Sequence, residues 1–439
     1  MPTMTAAESA ATPVPVGKDP VFRRLLRASS VSMLGSHVTS IAYPLLVLRL
    51  TNSPVEAGWV AFAAIAPSLL VHVPAGALVD RRDPRRAMLV SEIGRGMAIA
   101  AVAVMLVMGK PNVPLLTAAA VVEGVLGVFS TLAERRCVGS IVRPEQVPAA
   151  LVRLEGRNHV VLLVGRPLGG LLFGIEPILP FLADVATFIY SVAALAGIKS
   201  RWPVAARRTE ASREPVPGSR LRSDIWNGLR RMGADRYAYT VIIAFSVGTL
   251  IFQALIMVFL ADAHTQKLSA PAIGIVLAAS GVGGALGSAA ASWLLSRVRY
   301  PWVRLQTLIW FFGFAVLALL TGPQVIQMAI VMAVLGFTGA MGNIELDTHL
   351  MRNFDKDMLG RATSVSRLMA LIACAIGPAA GGVIVQEFGI TGAVTFLFVV
   401  TSALPVLAFI TPAPTASRGR AQDRPELVVP DAPVPVGQS

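Results

Sequence analysis

Apolar stretches, each about as long as a bilayer-spanning helix, recur along the whole chain. A transmembrane helix needs about 20 consecutive apolar residues. Twelve such stretches are present, at residues 24–48, 57–79, 88–108, 114–133, 149–174, 178–198, 238–261, 272–295, 302–321, 324–344, 364–386 and 390–411. Long core helices of a soluble protein would produce a few of them, but not this many. The pattern therefore predicts an all-α membrane protein with twelve transmembrane helices.

Charge is scarce in this chain and unevenly distributed. Only 14% of the residues are charged, against roughly 25% in soluble domains. If the N-terminus is cytoplasmic, 33 of the 38 Lys and Arg residues lie in or beside cytoplasmic segments. This is the positive-inside asymmetry, and it predicts that both termini are cytoplasmic. The net charge of +13 is thus explained by topology, and no nucleic-acid partner is expected.

The composition between the apolar stretches predicts the domain organisation. Residues 1–20 are polar and lack an apolar signal region, so we expect a disordered tail there. A basic, Pro-bearing segment at 201–236 predicts a cytoplasmic linker between a six-helix bundle at 21–200 and a second one at 237–411. The Pro-rich segment at 412–439 is expected to be a disordered tail.

The two predicted bundles share a glycine motif. VGRPLGGLLFG in the fifth stretch aligns with IGPAAGGVIVQEFG in the eleventh, and the upstream segments RPEQVPAA and DKDMLGRA align at the same offset. The motif residues are Gly165, Gly169 and Gly170 in the first copy and Gly377, Pro378, Gly381 and Gly382 in the second. Chance similarity between two apolar segments is the alternative. An internal duplication of this kind is typical of secondary transporters, whose substrate sites lie between the repeats.

The turn between the second and third stretches, GALVDRRDPRRA, concentrates charge that the flanking segments lack. It contains Gly76, Asp80, Arg81, Arg85 and Arg86. Arginines in a cytoplasmic loop would hold the topology without any further role. That explanation does not cover Asp80, which weakens the positive signal, or Gly76, whose missing side chain lets helices approach closely.

These motifs resemble those of the major facilitator superfamily, over about residues 21–411. The resemblance is greatest to bacterial drug and natural-product exporters of the drug:proton antiporter type. It rests on FRRLLRASSVSMLGS, LTNSP, GALVDRRDPRR and LPFLADVATFIYS. It implies two six-helix repeats that work by alternating access.

The resemblance also implies a conformational latch. Asp80 would face the start of the eleventh helix, near residues 360–364, in the outward-open state. Arg81, Arg85 and Arg86 would surround Asp80 and bind the lipid face. A carboxylate at a helix N-terminus is stabilised by the helix dipole, which supports this role.

The sequence departs from the family pattern in four places. Asp83 and Pro84 stand in the charged turn where a glycine is usual. Arg166 stands in the first glycine motif where proline is usual. Ser296 stands in the second half at the position that corresponds to Asp80. Ser36 and His37 stand where relatives often carry an acidic residue.

Six ionisable residues are candidates for membrane depth, where charge is costly and is a functional-site hypothesis by default. Glu92 and Arg95 are three residues apart, which favours a local ion pair. Glu123 is the best candidate for a proton-carrying carboxylate. His37 could carry protons or make a polar contact only. Arg166 shares a depth with Glu123 and with the remaining acid, Asp184.

A lone arginine at that depth is energetically costly, so we expect a carboxylate within salt-bridge distance of the Arg166 guanidinium. Asp184 on the neighbouring helix is the expected structural partner of Arg166. The functional alternative places Arg166 in the central cavity, paired with Glu123 or with an anionic substrate.

Taken together, the sequence predicts a multi-pass cell-membrane transporter that exports a small, amphipathic organic molecule, driven by protons. A cavity of apolar side chains suits such a molecule better than a sugar. An importer or symporter on the same fold, and a non-transporting membrane protein, are the alternatives. No cofactor or metal is expected, because Cys137 and Cys374 have no metal-ligand spacing and no P-loop is present. The lipid bilayer is a partner, and a monomer is expected.

Overall fold

The computed structural model describes residues 19–198, 236–297, 307–309, 311–313, 315–316, 325–353 and 356–410. The predicted N-terminal and C-terminal tails and almost all of the linker lie outside these residues, as does most of the predicted ninth span.

Long helices make up nearly all of the described chain. They are α1 (Pro20–Thr51), α2 (Pro54–Arg81), α3 (Pro84–Val107), α4 (Val113–Ile141), α5 (Val147–Ile175), α6 (Leu179–Ala196), α7 (Arg236–Thr265), α8 (Ala270–Arg297), α9 (Val325–Asn353) and α10 (Lys356–Ile410). Within the described residues, ten helices are long and apolar enough to cross a membrane. The predicted all-α membrane fold is thus confirmed.

α10 contains the eleventh and twelfth predicted spans. Its 55 residues are interrupted at Gly389, where φ is 67° and ψ is 180°. Positive φ of this kind is easy for glycine and strained for other residues. The chain turns at Gly389, so that one long helical segment supplies two spans.

Short polar caps set where the helices begin. Asp19 accepts a hydrogen bond from the backbone N–H of Val21 (2.8 Å), and Asp83 accepts one from Arg85 (2.9 Å). Proline follows each of these two caps at the first helical position, where its missing N–H has no cost. The turns between α1, α2 and α3 are consequently short, and successive helices run antiparallel.

Glycines let equivalent helices of the two halves, α1–α6 and α7–α10, approach closely. A Cβ built on Gly169 of α5 would lie 2.3 Å from the carbonyl oxygen of Val38 on α1. A Cβ built on Gly381 of α10 would lie 2.6 Å from the carbonyl oxygen of Ala254 on α7. Backbone therefore packs on backbone at both places, and the duplication seen in the sequence recurs as matched helix contacts.

The third glycine of each motif joins one half to the other. A Cβ on Gly170 of α5 would lie 3.4 Å from the backbone nitrogen of Gly274 on α8. A Cβ on Gly382 of α10 would lie 2.3 Å from the carbonyl oxygen of Pro54 on α2. His264 of α7 is also within hydrogen-bonding distance of Asn52 (2.9 Å). These contacts lie toward the side that the charge asymmetry assigns to the exterior.

The cytoplasmic ends of the two halves have separate cores. One apolar cluster near the outer side contains residues of both halves. Toward the cytoplasm, one cluster is drawn from the first half alone and another from the second half alone. Among the described residues, Cβ atoms built on Gly76 of α2 and on Gly360 of α10 would meet nothing within 4 Å. In this part of the chain the two halves thus share a core toward the outer side and have separate cores toward the cytoplasm.

We predict that Gly169→Ala lowers the melting temperature Tm of the purified protein. The added Cβ would overlap the Val38 carbonyl, and overpacking of this kind costs about 1–3 kcal/mol. Gly156→Ala on the same helix is the matched control, because a Cβ there meets nothing within 4 Å. Alanine is also the better helix former, so the Tm of the control should be unchanged or higher. Equal shifts for both variants would contradict the packing argument.

Candidate functional site

The charged turn between α2 and α3 lies on the cytoplasmic side, and its acidic residue has an ion-pair partner there. The carboxylate of Asp80 pairs with the guanidinium of Arg136 on α4. Both side chains are close to half exposed, at 45% and 46%. The pair therefore ties the end of α2 to α4 within the first half.

Two of the expected arginines contact other groups. Arg85 donates hydrogen bonds to the carbonyl oxygens of Leu195 (3.2 Å) and Ala196 (2.8 Å), at the C-terminal end of α6. A cation is favoured there by the helix dipole. Arg86 pairs with Asp83 at 3.7 Å. Arg85 and Arg86 thus contact groups other than Asp80 among the described residues, and their place around Asp80 in the outward-open state stays a prediction.

The predicted contact between Asp80 and the start of the eleventh span belongs to the outward-open state. Among the described residues, Asp80 pairs with Arg136 and with no residue of 360–364. The latch thus stays a prediction.

A cluster of charges lies inside the first half, centred on Arg95 of α3. Its guanidinium is 3.3 Å from the carboxylate of Glu92 and 3.5 Å from that of Glu123 on α4. It also donates to the hydroxyl of Ser36 on α1. The ring of Phe188 on α6 lies under the guanidinium carbon, 4.8 Å from it, in a cation–π contact. The expected pair of Glu92 and Arg95 is confirmed, and it is part of a network that joins four helices.

Glu123 connects α4 to this network. Its carboxylate pairs with the Arg95 guanidinium, which also donates to the Ser36 hydroxyl of α1. Glu92 is nearly completely buried and accepts a hydrogen bond from Ser130 of α4 at 2.7 Å. Glu123 is therefore the carboxylate of α4 whose charge acts, through Arg95, on the contacts of both α3 and α1.

Asp184 of α6 is fully buried against α1. Thr39 donates a hydrogen bond to one carboxylate oxygen (2.9 Å), and Thr187 donates to the other (3.1 Å). A Cβ built on Gly35 would overlap this carboxylate, so a glycine is required for the approach. Asp184 thus faces α1 and lies near the Arg95 cluster.

The prediction that Arg166 pairs with Asp184 or Glu123 is wrong. Among the described residues, no carboxylate lies within 4.0 Å of the Arg166 guanidinium, and its buried Nε makes no hydrogen bond. Equal depth in the membrane did not bring the charges together, because Asp184 lies on the side of α6 that packs on α1.

His37 lies next to the first glycine motif. A Cβ built on Gly165 of α5 would be 2.5 Å from the Cβ of His37. The imidazole is within electrostatic range of both Arg95 and Arg166. His37 therefore sits between the charged cluster of the first half and the boundary with the second half.

Sequence reasoning missed a second buried ion pair at the cytoplasmic end of the first half. Arg157 of α5 forms a two-pronged contact with Glu134 of α4, with one N–O distance of 3.2 Å. Arg157 also donates to the hydroxyl of Ser29 on α1. Glu134 directly follows the fourth predicted span and Arg157 lies near the cytoplasmic end of the fifth, where charges are common, so their charges gave no signal of burial.

Several relatives resemble this chain along nearly its full length. The family model described as Major Facilitator Superfamily matches residues 25–265 and 240–436. The protein "Uncharacterized MFS-type transporter y4rN" of Sinorhizobium fredii (strain NBRC 101917 / NGR234) is 26% identical over 92% of this chain and 97% of its own length. "Multidrug efflux pump Tap" of Mycolicibacterium fortuitum is 24% identical over 88% of this chain and 95% of its own.

Solved structures share the fold at lower sequence identity. A bacterial homologue of the iron transporter ferroportin, in an inward-facing state, superposes with a TM-score of 0.64 at 16% identity, covering 88% of this chain and 98% of that one. The nucleoside transporter NupG gives a TM-score of 0.66 at 13% identity, covering 89% of this chain and 98% of that one. At such identities the likeness establishes the fold alone.

We predict that Glu134→Gln destabilises the protein strongly. It would leave the Arg157 guanidinium buried without its ionic partner, and breaking a buried pair costs about 3–5 kcal/mol. Glu155→Gln is the control, because Glu155 is 54% exposed in its 3.6 Å pair with Arg135. Exposed pairs contribute at most about 1 kcal/mol. Tm values of the two purified variants test this, and a larger loss for Glu155→Gln would refute the assignment.

Proposed function

The chain belongs to the Major Facilitator Superfamily of secondary transporters, and from that premise we propose that it exports a small organic molecule in exchange for protons. The transported molecule is amphipathic, and Glu123 carries the coupled proton. The observation that carries the proposal is the ion pair of Glu123 with Arg95, whose guanidinium also donates to Ser36 of α1, inside the membrane.

The direction of transport is supported by sequence relatives. Tap of Mycolicibacterium fortuitum is a multidrug efflux pump by its name, and its similarity covers most of both chains. The motifs GALVDRRDPRR and LPFLADVATFIYS also resemble those of exporters. Export is therefore favoured over import.

The position of Glu123 suits a proton carrier. It lies ten residues into α4, or about 15 Å from the outer end, near the middle of the bilayer. Glu92 and Glu123 share the single guanidinium of Arg95, and the buried carboxylate of Asp184 has the hydroxyls of Thr39 and Thr187 as hydrogen-bond partners. Uncompensated carboxylates are costly in such a place, so the cluster favours uptake of a proton.

Protonation of Glu123 would remove its ionic contact with Arg95. Since Arg95 also holds Ser36 on α1, the loss would change how α1, α3 and α4 are tied together. A proton could then bias the equilibrium between inward-facing and outward-facing states, as alternating access requires. Asp80 would close the cytoplasmic side in the outward-facing state by docking near residues 360–364.

We predict that Glu123→Gln abolishes export driven by the pH gradient. Glutamine keeps the size of the side chain but cannot exchange a proton. The measurement is uptake into everted vesicles of a compound that accumulates in cells lacking the gene. Glu176→Gln is the control, since Glu176 is exposed between α5 and α6. If Glu123→Gln keeps a full response to the gradient, another group carries the proton, and His37 is the next to test.

We also predict that Asp80→Asn cuts transport severely while the protein still inserts and purifies normally. The change removes the charge that would meet the helix N-terminus in the outward-facing state. Asp83→Asn in the same turn is the matched control, because asparagine also caps a helix well. Near-normal transport by Asp80→Asn would remove the latch from the mechanism.

A further inference from the structure

Arg166 is directed toward the boundary between the two halves. Residues of one helix face are spaced by the 3.6-residue period. Val164 and Ile175 lie on the face of α5 nearly opposite Arg166, and they are 47% and 65% exposed, as expected for contact with lipid. Gly169 packs on α1 and Gly170 on α8, on either side of Arg166. The arginine thus points inward, between α1 and α8.

Both halves contact α5 beside Arg166. A Cβ built on Gly165 would be 2.5 Å from the Cβ of His37 on α1, and one built on Gly170 would be 3.4 Å from the backbone nitrogen of Gly274 on α8. Arg166 as a whole is only partly buried, so part of its side chain borders space that a ligand can enter. In a transporter built from two repeats, the substrate binds at this boundary.

The guanidinium lacks a counter-charge within the described residues. The buried arginines Arg95 and Arg157 each contact at least one carboxylate. Arg166 contacts none, and its buried Nε has no hydrogen-bond partner in the described part of the chain. A buried Nε without a hydrogen-bond partner, on a guanidinium with no carboxylate beside it, is unfavourable inside a membrane, which favours a partner that comes from outside the protein.

We infer that Arg166 binds the anionic group of the transported molecule, which is therefore an amphipathic organic anion such as a carboxylate. The inference rests on the proposed function and narrows its substrate class. A guanidinium pairs with a carboxylate through two parallel N–H···O bonds, which fixes the orientation of the ligand. The corresponding position of the second half is Pro378, so only one repeat supplies the cation.

Three dansyl compounds test the charge preference, because they share one fluorophore. Dansylglycine is an anion, dansylglycinamide is neutral and dansylcadaverine is a cation. Binding to the purified full-length protein is followed by energy transfer from tryptophan. We expect wild type to bind dansylglycine at least about tenfold more tightly than the other two, as one added ionic contact would give. Arg166→Gln should lose this preference, and Arg166→Lys should keep part of it.

Stability without any ligand gives a second test. Arg166→Gln removes an unpaired charge, so its Tm should be equal to or higher than that of wild type. Arg157→Gln is the matched control on the same helix, and its Tm should fall because Glu134 would lose its partner. A clear fall in Tm for Arg166→Gln would mean that the guanidinium has a partner within the protein, and it would overturn the inference.

The two tests are independent of proton-driven export. Neither uses a gradient, so loss of coupling in Glu123→Gln vesicles leaves them interpretable. The inference is overturned if dansylglycine does not bind, if the three probes bind equally, or if Arg166→Gln keeps the preference. In each of those cases export of a neutral or cationic molecule can still be tested in vesicles.

Discussion

The cost of placing charge inside a bilayer determines how the first half of this transporter is arranged. Arg95 lies near the middle of α3, and its charge is compensated by Glu92, Glu123 and the face of Phe188. These contacts reach α4 and α6, while Ser36 adds α1. One guanidinium therefore fixes the relative positions of four helices. The same network places a carboxylate where the gain or loss of a proton changes helix contacts.

Close glycine packing provides the other constraint, because it determines where the two halves can pivot. The glycines of α5 and α10 bring backbone against backbone, first within each half and then across the boundary. Near the outer side the halves share one apolar core, whereas their cytoplasmic cores are separate. Such a molecule can exchange inward-facing for outward-facing states by opening one set of contacts while closing another, with each half moving as a unit.

Two kinds of buried arginine can now be distinguished. Arg157 has Glu134 and Ser29 as partners, and it holds the cytoplasmic ends of α1, α4 and α5 together. Arg166 has neither a carboxylate nor a bonded Nε within the described residues. The first residue stabilises the half in which it lies. The second is placed where the halves meet, and it is available to a ligand that carries negative charge.

The sequence by itself determined the helices, their orientation and the duplication. Helix formation follows from local length and hydrophobicity, and orientation follows from where the basic residues lie. The pair of Glu92 and Arg95 was also predictable, because residues three apart share a helix face. Contacts between residues on different helices were not predictable from the sequence. Depth follows from counting residues, but a contact also depends on how each helix is rotated about its axis and on which helix is its neighbour. Only the tertiary structure decided that Asp184 faces Thr39 and that Arg166 faces the second half.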